Sequence, residues 1–138
     1  MLVYGDGERR EGTAEKMARL RAGLALPGRP GTLERHSRIA GLFVEAGELA
    51  QGLLDEQLAR LGKERWTPLS DLCARLTLCL AEALRCSFQG EPLPGSDEAA
   101  AALDKLAALD LPETITVHVP EGYVHYGLYP ETYLRAAA

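Results

Sequence analysis

The chain has 138 residues, of which 46% are hydrophobic and 25% are charged, and its formal net charge is −5. The length is that of a single domain with its own core, and the composition excludes a disordered protein. The negative charge disfavours a nucleic-acid backbone or an anionic membrane surface as the partner.

The N-terminal half predicts two helices. Residues 1–12 are rich in glycine and charge, so we expect a loop there that can include a short strand at residues 2–4. Thr13 is the predicted N-cap of the first helix, which the Pro-Gly segment at residues 27–31 ends. Thr32 is the predicted cap of the longest helix, which runs to about Leu61. One face of that helix is apolar: Ile39, Leu42, Phe43, Ala46, Leu49, Ala50, Leu53 and Leu61.

Two more helices follow. Thr67-Pro68 opens the third, whose main apolar face holds Leu69, Leu72, Cys73, Leu76, Leu80, Ala83 and Leu84. Leu78 and Cys79 widen that face, which predicts a central helix buried on most sides. The fourth helix starts at Ser96 and ends near Leu109.

All three cysteines fall in the predicted third helix. Cys73, Cys79 and Cys86 are six and seven residues apart, which matches no zinc pattern. An odd number of cysteines favours buried, reduced thiols in a cytoplasmic protein, with no metal. The same compartment is expected because no apolar run approaches the ~20 residues of a membrane span and the first ten residues lack the apolar core of a signal peptide.

The C-terminal part predicts a β-hairpin at residues 113–129. Residues 114–119 alternate and are β-branched, residues 120–122 are typical of a turn, and residues 123–128 form the returning strand. A short helix is expected after Tyr129-Pro130. The predicted fold is therefore mainly α, with four helices, a C-terminal hairpin and a short terminal helix in one domain, residues 1–138.

The segment of residues 116–133, from the predicted hairpin into the predicted terminal helix, is also the best candidate for a contact surface. It contains four of the five tyrosines and two of the three histidines. If Ile115 and Val117 face the core, strand alternation places His118 and His125 on the outer face. Tyr and His combine an apolar body with a polar tip, which suits an interface. The predicted interface residues are His118, Tyr123, His125, Tyr126, Tyr129 and Tyr133.

A second constellation lies on the long helix. Glu45 and Glu48 are one turn apart, and Asp55 lies on the same face two turns beyond Glu48. Carboxylates at this spacing can form an acid/base pair or bind a metal, and a solvated helix face is the alternative. With the hairpin histidines they give the catalytic candidates Glu45, Glu48 and His125. No Glu-x-x-His spacing supports a metal, and no motif implies a cofactor.

The long helix carries two further signals. Gly41 and Gly52 lie on its polar face, where glycine costs stability, so they indicate a close approach by another backbone or a ligand. His36 lies near the helix start beside Arg35 and Arg38. Helix N-termini favour anions, so an anion contact is one interpretation there and a plain surface turn is the other.

Two stretches resemble a known family. They are Arg35-His-Ser-Arg-Ile-Ala-Gly-Leu-Phe-Val-Glu-Ala-Gly-Glu-Leu-Ala-Gln-Gly52 and Val119-Pro-Glu-Gly-Tyr-Val-His-Tyr-Gly-Leu-Tyr-Pro-Glu-Thr-Tyr-Leu134. They are similar to the N-terminal region of certain bacterial phosphoribosyltransferase-like proteins, in which the second stretch leads into the transferase-like domain. The phosphoribosyl pyrophosphate loop of that domain, two acidic residues followed by a small-residue turn, is missing from this sequence.

The resemblance implies a non-catalytic accessory domain that docks through its hairpin on a phosphoribosyltransferase-like domain or another subunit. Two alternatives stay open. One is a small enzyme or ligand-binding protein that uses Glu45, Glu48 and Asp55 with His118 or His125. The other is a homodimer that pairs through the hairpin edge.

Overall fold

The computed structural model describes residues 7–25, 28–29, 31–61, 66–87, 93 and 95–119. In chain order these residues form β1 (Gly7–Gly12), α1 (Thr13–Leu24), α2 (Leu33–Leu61), α3 (Trp66–Arg85), α4 (Ser96–Ala107) and β2 (Thr114–Val119). The expected fold class, mainly α with a β element toward the C-terminus, is confirmed. The predicted returning strand at residues 123–128 and the terminal helix lie outside the described residues.

The N-terminal caps of α1 and α2 can be compared with those that the sequence predicts. Thr32 caps α2 as predicted, because its Oγ1 accepts a hydrogen bond of 3.1 Å from the backbone N–H of Arg35. The prediction for α1 was one residue off: Gly12 is the N-cap and Thr13 is the first helical residue. The Thr13 N–H instead donates to the carbonyl of Glu113 at 2.9 Å. The first turn of α1 is therefore tied to the residue that precedes β2.

The core lies between the four helices. The predicted stripe of α2 is buried from Ile39 to Leu53 and meets α1 and α3, while α3 also packs against α4. The prediction that α3 is buried on most sides was wrong, because Leu78 is 67% exposed. Leu78 lies on the side of α3 away from the buried stripe that contains Leu76 and Leu80. A helix that packs along one stripe leaves its opposite side in water, even where that side carries a leucine.

The two strands form an antiparallel sheet with Gly7 opposite Val119 and Gly12 opposite Thr114. The prediction of a loop at residues 7–12 was therefore wrong. The segment Gly-Glu-Arg-Arg-Glu-Gly has no β-branched or aromatic residue, so local propensity gives no sign of a strand. It becomes one because β2 supplies a hydrogen-bonding edge more than a hundred residues later in the chain.

Strand β2 is held to the helices by its inner face. Ile115 and Val117 are 0% and 1% exposed and belong to the core. Ile115 packs against Gly52 of α2, where an added Cβ would stand 2.8 Å from its Cδ1. Of the two glycines that indicated a close approach, Gly52 therefore meets the side chain of β2. The predicted parity of the strand is confirmed, since His118 on the other face is exposed.

Candidate functional site

A network of charges joins β1, α1 and α2 around Lys16. The Lys16 side chain is completely buried, and its Nζ lies 2.8 Å from Oε1 of Glu45 and 2.8 Å from Oε1 of Glu48. Glu11 of β1 is the third carboxylate, 3.5 Å from the same nitrogen. A buried ammonium is tolerated only when such acceptors surround it. The sequence carries a signal for this, because Lys16 falls on the apolar stripe of α1 with Leu20.

Two arginines complete what we call the Lys16 network. Arg19 contacts Glu11 at 2.6 Å and Glu45 at 3.4 Å, and Arg9 contacts Glu11 at 2.8 Å. Arg9 also reaches Glu48 at 3.5 Å. Three cations thus face three carboxylates, and the charges balance within the cluster. Its members are Arg9, Glu11, Lys16, Arg19, Glu45 and Glu48.

The pKa values in the network follow from this balance. Burial by itself would lower the pKa of Lys16, but its hydrogen bonds to Glu45 and Glu48 and their charges raise it above the ordinary value. Burial would likewise raise the pKa of Glu11, but Arg19, Lys16 and Arg9 together lower it. Both shifts favour the charged forms of Lys16 and Glu11.

Glu45 and Glu48 are thus bound to cations of their own chain. Neither is a solvated side chain of a plain helix face, because the Glu48 side chain is only 9% exposed and that of Glu45 is 28% exposed. A general base needs a free lone pair within reach of substrate. Their geometry is that of a structural clamp between α1, α2 and β1.

The predicted interface residue His118 lies on what we call the outer sheet face. This is the face of the sheet away from Ile115 and Val117, where Glu8 pairs with His118 and Arg10 pairs with Thr116. The His118 Nδ1 lies 3.5 Å from Oε1 of Glu8. Arg10 donates to Thr116 Oγ1 at 2.6 Å. The outer sheet face consists of Glu8, Arg10, Thr114, Thr116 and His118.

Asp55 and His118 line one cleft. The cleft, of about 290 Å³, lies between α2 and the sheet and is lined by Glu8, Gly52, Asp55, Glu56, Ala59, Thr116 and His118. Asp55 accepts a hydrogen bond of 2.9 Å from Gln51, and Arg10 reaches Glu56 at 3.4 Å. Within the described part of the chain, no three His, Cys, Asp or Glu side chains are grouped as ligands for a metal ion.

The sheet separates this cleft from the Lys16 network. Arg9 and Glu11 pair with Val117 and Ile115 on the inner face, whereas His118 lies on the outer face. Seven residues of helix place Asp55 about 10 Å along α2 from Glu48. The structure therefore brings Asp55 together with His118 and keeps Glu45 and Glu48 apart from both. His125, Tyr123, Tyr126, Tyr129 and Tyr133 lie outside the described residues.

A larger groove lies between α1 and α4. It has a volume of about 730 Å³, and apolar residues such as Met17, Leu103 and Leu111 form its floor. At its rim Arg21 makes an ion pair with Asp104. Nothing in the sequence marked this groove, because its lining residues follow the ordinary core periodicity of their helices.

The cysteines lie in and just after α3, and none of the three forms a disulfide. Cys73 is 2% exposed, and burial raises its pKa to about 12. Cys79 is half-buried, and burial together with the charge of Glu98 raises its pKa. A thiol with a raised pKa is a poor nucleophile at neutral pH. The structure thus gives Cys73 and Cys79 the packing role expected from the sequence.

Comparisons of the chain with protein-family models, with curated proteins and with solved structures found no match. None of the helices in the described ranges has the length and hydropathy to cross a membrane.

Proposed function

We propose that this chain is a non-catalytic accessory domain of the cytoplasm, which docks on a protein partner through the outer sheet face and the Tyr/His segment that follows β2. The partner class, a phosphoribosyltransferase-like domain or another subunit, is proposed from the sequence resemblance. The interface residues would be His118 of the sheet with Tyr123, His125, Tyr126, Tyr129 and Tyr133.

The placement of β2 is the main support. Its inner face is fixed by the burial of Ile115 and Val117, and its backbone is fixed by β1. Its outer face is polar and carries the exposed ring of His118. A strand held by its inner face presents the side chains of its other face in a fixed arrangement, which lowers the entropy cost of binding a partner. The tyrosine-rich segment begins directly after this strand.

The state of the carboxylates also supports a non-catalytic role. Glu45 and Glu48 are the strongest catalytic candidates in the sequence, and both are bonded to Lys16. Removing either carboxylate from Lys16 during a reaction would leave a buried ammonium short of acceptors. The network therefore suits a rigid scaffold better than proton transfer.

Affinity capture from the native host tests this proposal. The full chain would be compared with a variant that carries His118→Ala, Tyr123→Ser and Tyr126→Ser, none of which removes a described core residue. We expect the wild type to retain a partner with a phosphoribosyltransferase-like domain and the variant to lose it. Titration calorimetry with the purified partner would then have to show the same loss.

A matched control separates docking from folding. Leu78→Ser and Arg75→Ala change exposed residues of α3, away from the sheet. These substitutions should leave capture unchanged. Capture that survives in the sheet variant, or that disappears in the α3 control as well, would contradict the proposal. Light scattering of the chain alone tests the homodimer alternative. If the wild type is a dimer and the substitutions of the sheet variant dissociate it, the partner is a second copy of this chain.

The cleft between Asp55 and His118 favours one other function, a binding site for a small cationic ligand. Glu8, Asp55 and Glu56 give the cleft three carboxylates, of which Arg10 neutralises part. Nuclear magnetic resonance of the full chain with spermidine as the probe would test it. Saturable shifts of the His118 ring that disappear in Asp55→Asn would support the cleft as a site, and no shift would eliminate it.

A further inference from the structure

Arg35 is a buried cation for which the described residues supply no counter-ion. It lies in the first turn of α2 and is 1% exposed. Among the residues that the structure describes, neither its Nε nor its Nη2 has a hydrogen-bond partner, and no ion pair involves it. An unpaired buried charge is one of the most costly features a fold can contain.

Arg35 lies where the helix offers further donors. The first turn of an α-helix has N–H groups with no acceptor inside the helix, and the helix dipole adds positive potential there. Thr32 accepts from the N–H of Arg35 through its Oγ1 and from the N–H of His36 through its carbonyl oxygen. Because Cα–Cβ bonds tilt toward the helix N-terminus, a side chain of the first turn extends over that end. The Arg35 side chain therefore starts toward the end of the helix that carries these N–H groups.

The surrounding structure explains the burial of Arg35. It continues the buried stripe of Ile39 and Leu42, so it lies on the side of α2 that faces the core. The backbone at Gly28, with φ of +92°, lies against it, and a Cβ there would stand 3.2 Å from the Arg35 Cα. On the next residue, the His36 ring contacts Ser87 Oγ just beyond the end of α3.

The charges that neighbour Arg35 on α2 do not neutralise it. The carboxylate of Glu34 is paired with Arg38 at 2.8 Å on the exposed side of the helix. Burial lowers the pKa of His36, which keeps its ring neutral and adds no charge of either sign. Among the described residues, nothing therefore supplies the negative charge that the Arg35 guanidinium requires.

We infer that the N-terminal end of α2 binds an oxyanion, phosphoryl or carboxylate, with the Arg35 guanidinium as its main ligand. The planar fork of a guanidinium matches the oxygens of both groups and makes two parallel hydrogen bonds to either. The free N–H groups of the first turn add to this, as they do in other anion sites at helix N-termini. Along α2 this site is about 25 Å from Gly52 and the sheet, so it is independent of the proposed docking face.

Titration of the full chain with inorganic phosphate, and separately with acetate, tests this inference. Sodium chloride keeps the ionic strength constant, and both the Tm and the backbone amide signals of residues 33–36 are measured. We expect a rise in Tm of about 4 °C at ten times the Kd, and Tm should keep rising with the logarithm of the ligand concentration. The amide shifts should saturate and give the same Kd. A response to phosphate alone assigns the site to a phosphoryl group, and a response to acetate as well assigns it to carboxylates too.

Two variants give the control. Arg35→Met keeps a long apolar side chain but removes the charge, so it should abolish both the rise in Tm and the amide shifts. Arg60→Met removes the same charge from the exposed, opposite end of α2 and should leave them intact. If Arg35→Met does not fold, Arg35→Lys keeps the charge without the fork and should weaken binding by roughly tenfold. Absence of any saturable response in the wild type, or an equal response after substitution of Arg35, would overturn the inference.

Discussion

Ile115 of β2 lies directly over the Cα of Gly52 in the middle of α2. A Cβ at Gly52 would stand 2.8 Å from the Cδ1 of Ile115 and 2.9 Å from its Cβ. The second contact is with the Cβ of Ile115, which is attached directly to the backbone and cannot move unless β2 moves. The sheet can therefore pack this closely on α2 only because Gly52 has a hydrogen atom in place of a Cβ.

Substitution of Gly52 tests this relationship. Gly52→Ala should lower the free energy of unfolding by about 2 kcal/mol, because β2 must shift outward and this exceeds the gain in helix propensity. The control is Gly47→Ala in the same helix, where nothing lies within 4 Å of the added Cβ. That change should raise the stability by up to about 1 kcal/mol. Urea unfolding of both variants measures the difference, and equal effects would mean that the sheet does not pack on Gly52.

Lys16 should be essential to the fold in a way that surface ion pairs are not. Lys16→Met leaves three carboxylates near a buried site without their central cation, which should cost about 3 kcal/mol in unfolding free energy. The exposed pair of Arg21 and Asp104 is the control, and Arg21→Met should cost less than about 1 kcal/mol.

A second substitution separates charge from packing at Lys16. Adding Glu48→Gln to Lys16→Met removes one of the uncompensated charges and should recover part of the lost stability. Urea unfolding of the single and double variants shows the coupling. If the two substitutions are simply additive, Lys16 and Glu48 do not interact in solution.

The stability should fall on acidification below pH 4.5. The pKa of Glu11 is lower in the folded chain than its ordinary value of 4.5. Its contribution is therefore present above pH 4.5 and is lost as the pH falls through the folded-state pKa. Lys16 has the opposite sign: its raised pKa makes its contribution complete below 10.5 and lost above it. Urea unfolding between pH 3 and 7 should show a smaller acid loss in Glu11→Gln than in the wild type, and parallel curves would refute the assignment.

Cys73 should resist thiol reagents in the folded protein. With a pKa of about 12, only about one Cys73 in ten thousand is a thiolate at pH 8. Ellman's reagent followed by peptide mapping should therefore leave Cys73 unmodified under native conditions, while half-buried Cys79 reacts slowly. In urea all three cysteines should react at similar rates. Fast native labelling of Cys73 would show that α3 opens readily.

Some of this structure could be predicted from local patterns. The four helices follow from the spacing of apolar residues, since a helix with one apolar stripe must bury it. The start of α2 follows from Thr32, whose hydroxyl needs only the next turn of the same helix. Strand β2 and its buried face follow from the alternation of Ile115 and Val117 with polar residues. Each of these is a relation between residues a few positions apart.

The candidate site was harder to predict, because each of its parts combines distant segments. Glu45 and Glu48 could be interpreted as an acid/base pair only while the position of Lys16, twenty-nine and thirty-two residues earlier, was unknown. Asp55 and His118 line one cleft only because the sheet packs across α2. Leu78 was interpreted as part of a buried side of α3. That interpretation failed because hydrophobicity alone does not tell which faces of a helix pack against other elements.

By itself the sequence determined the class of the fold, the helices, the strand after α4 and the concentration of Tyr and His beyond that strand. Only the tertiary structure decided that residues 7–12 form β1, that Lys16 is buried among three carboxylates and that the buried Arg35 Nε and Nη2 have no partner among the described residues. The physical reason is the same in each case. Helix and strand periodicity act through neighbours in the chain, whereas the burial of a charge and the pairing of a polar strand depend on which distant segment arrives beside them.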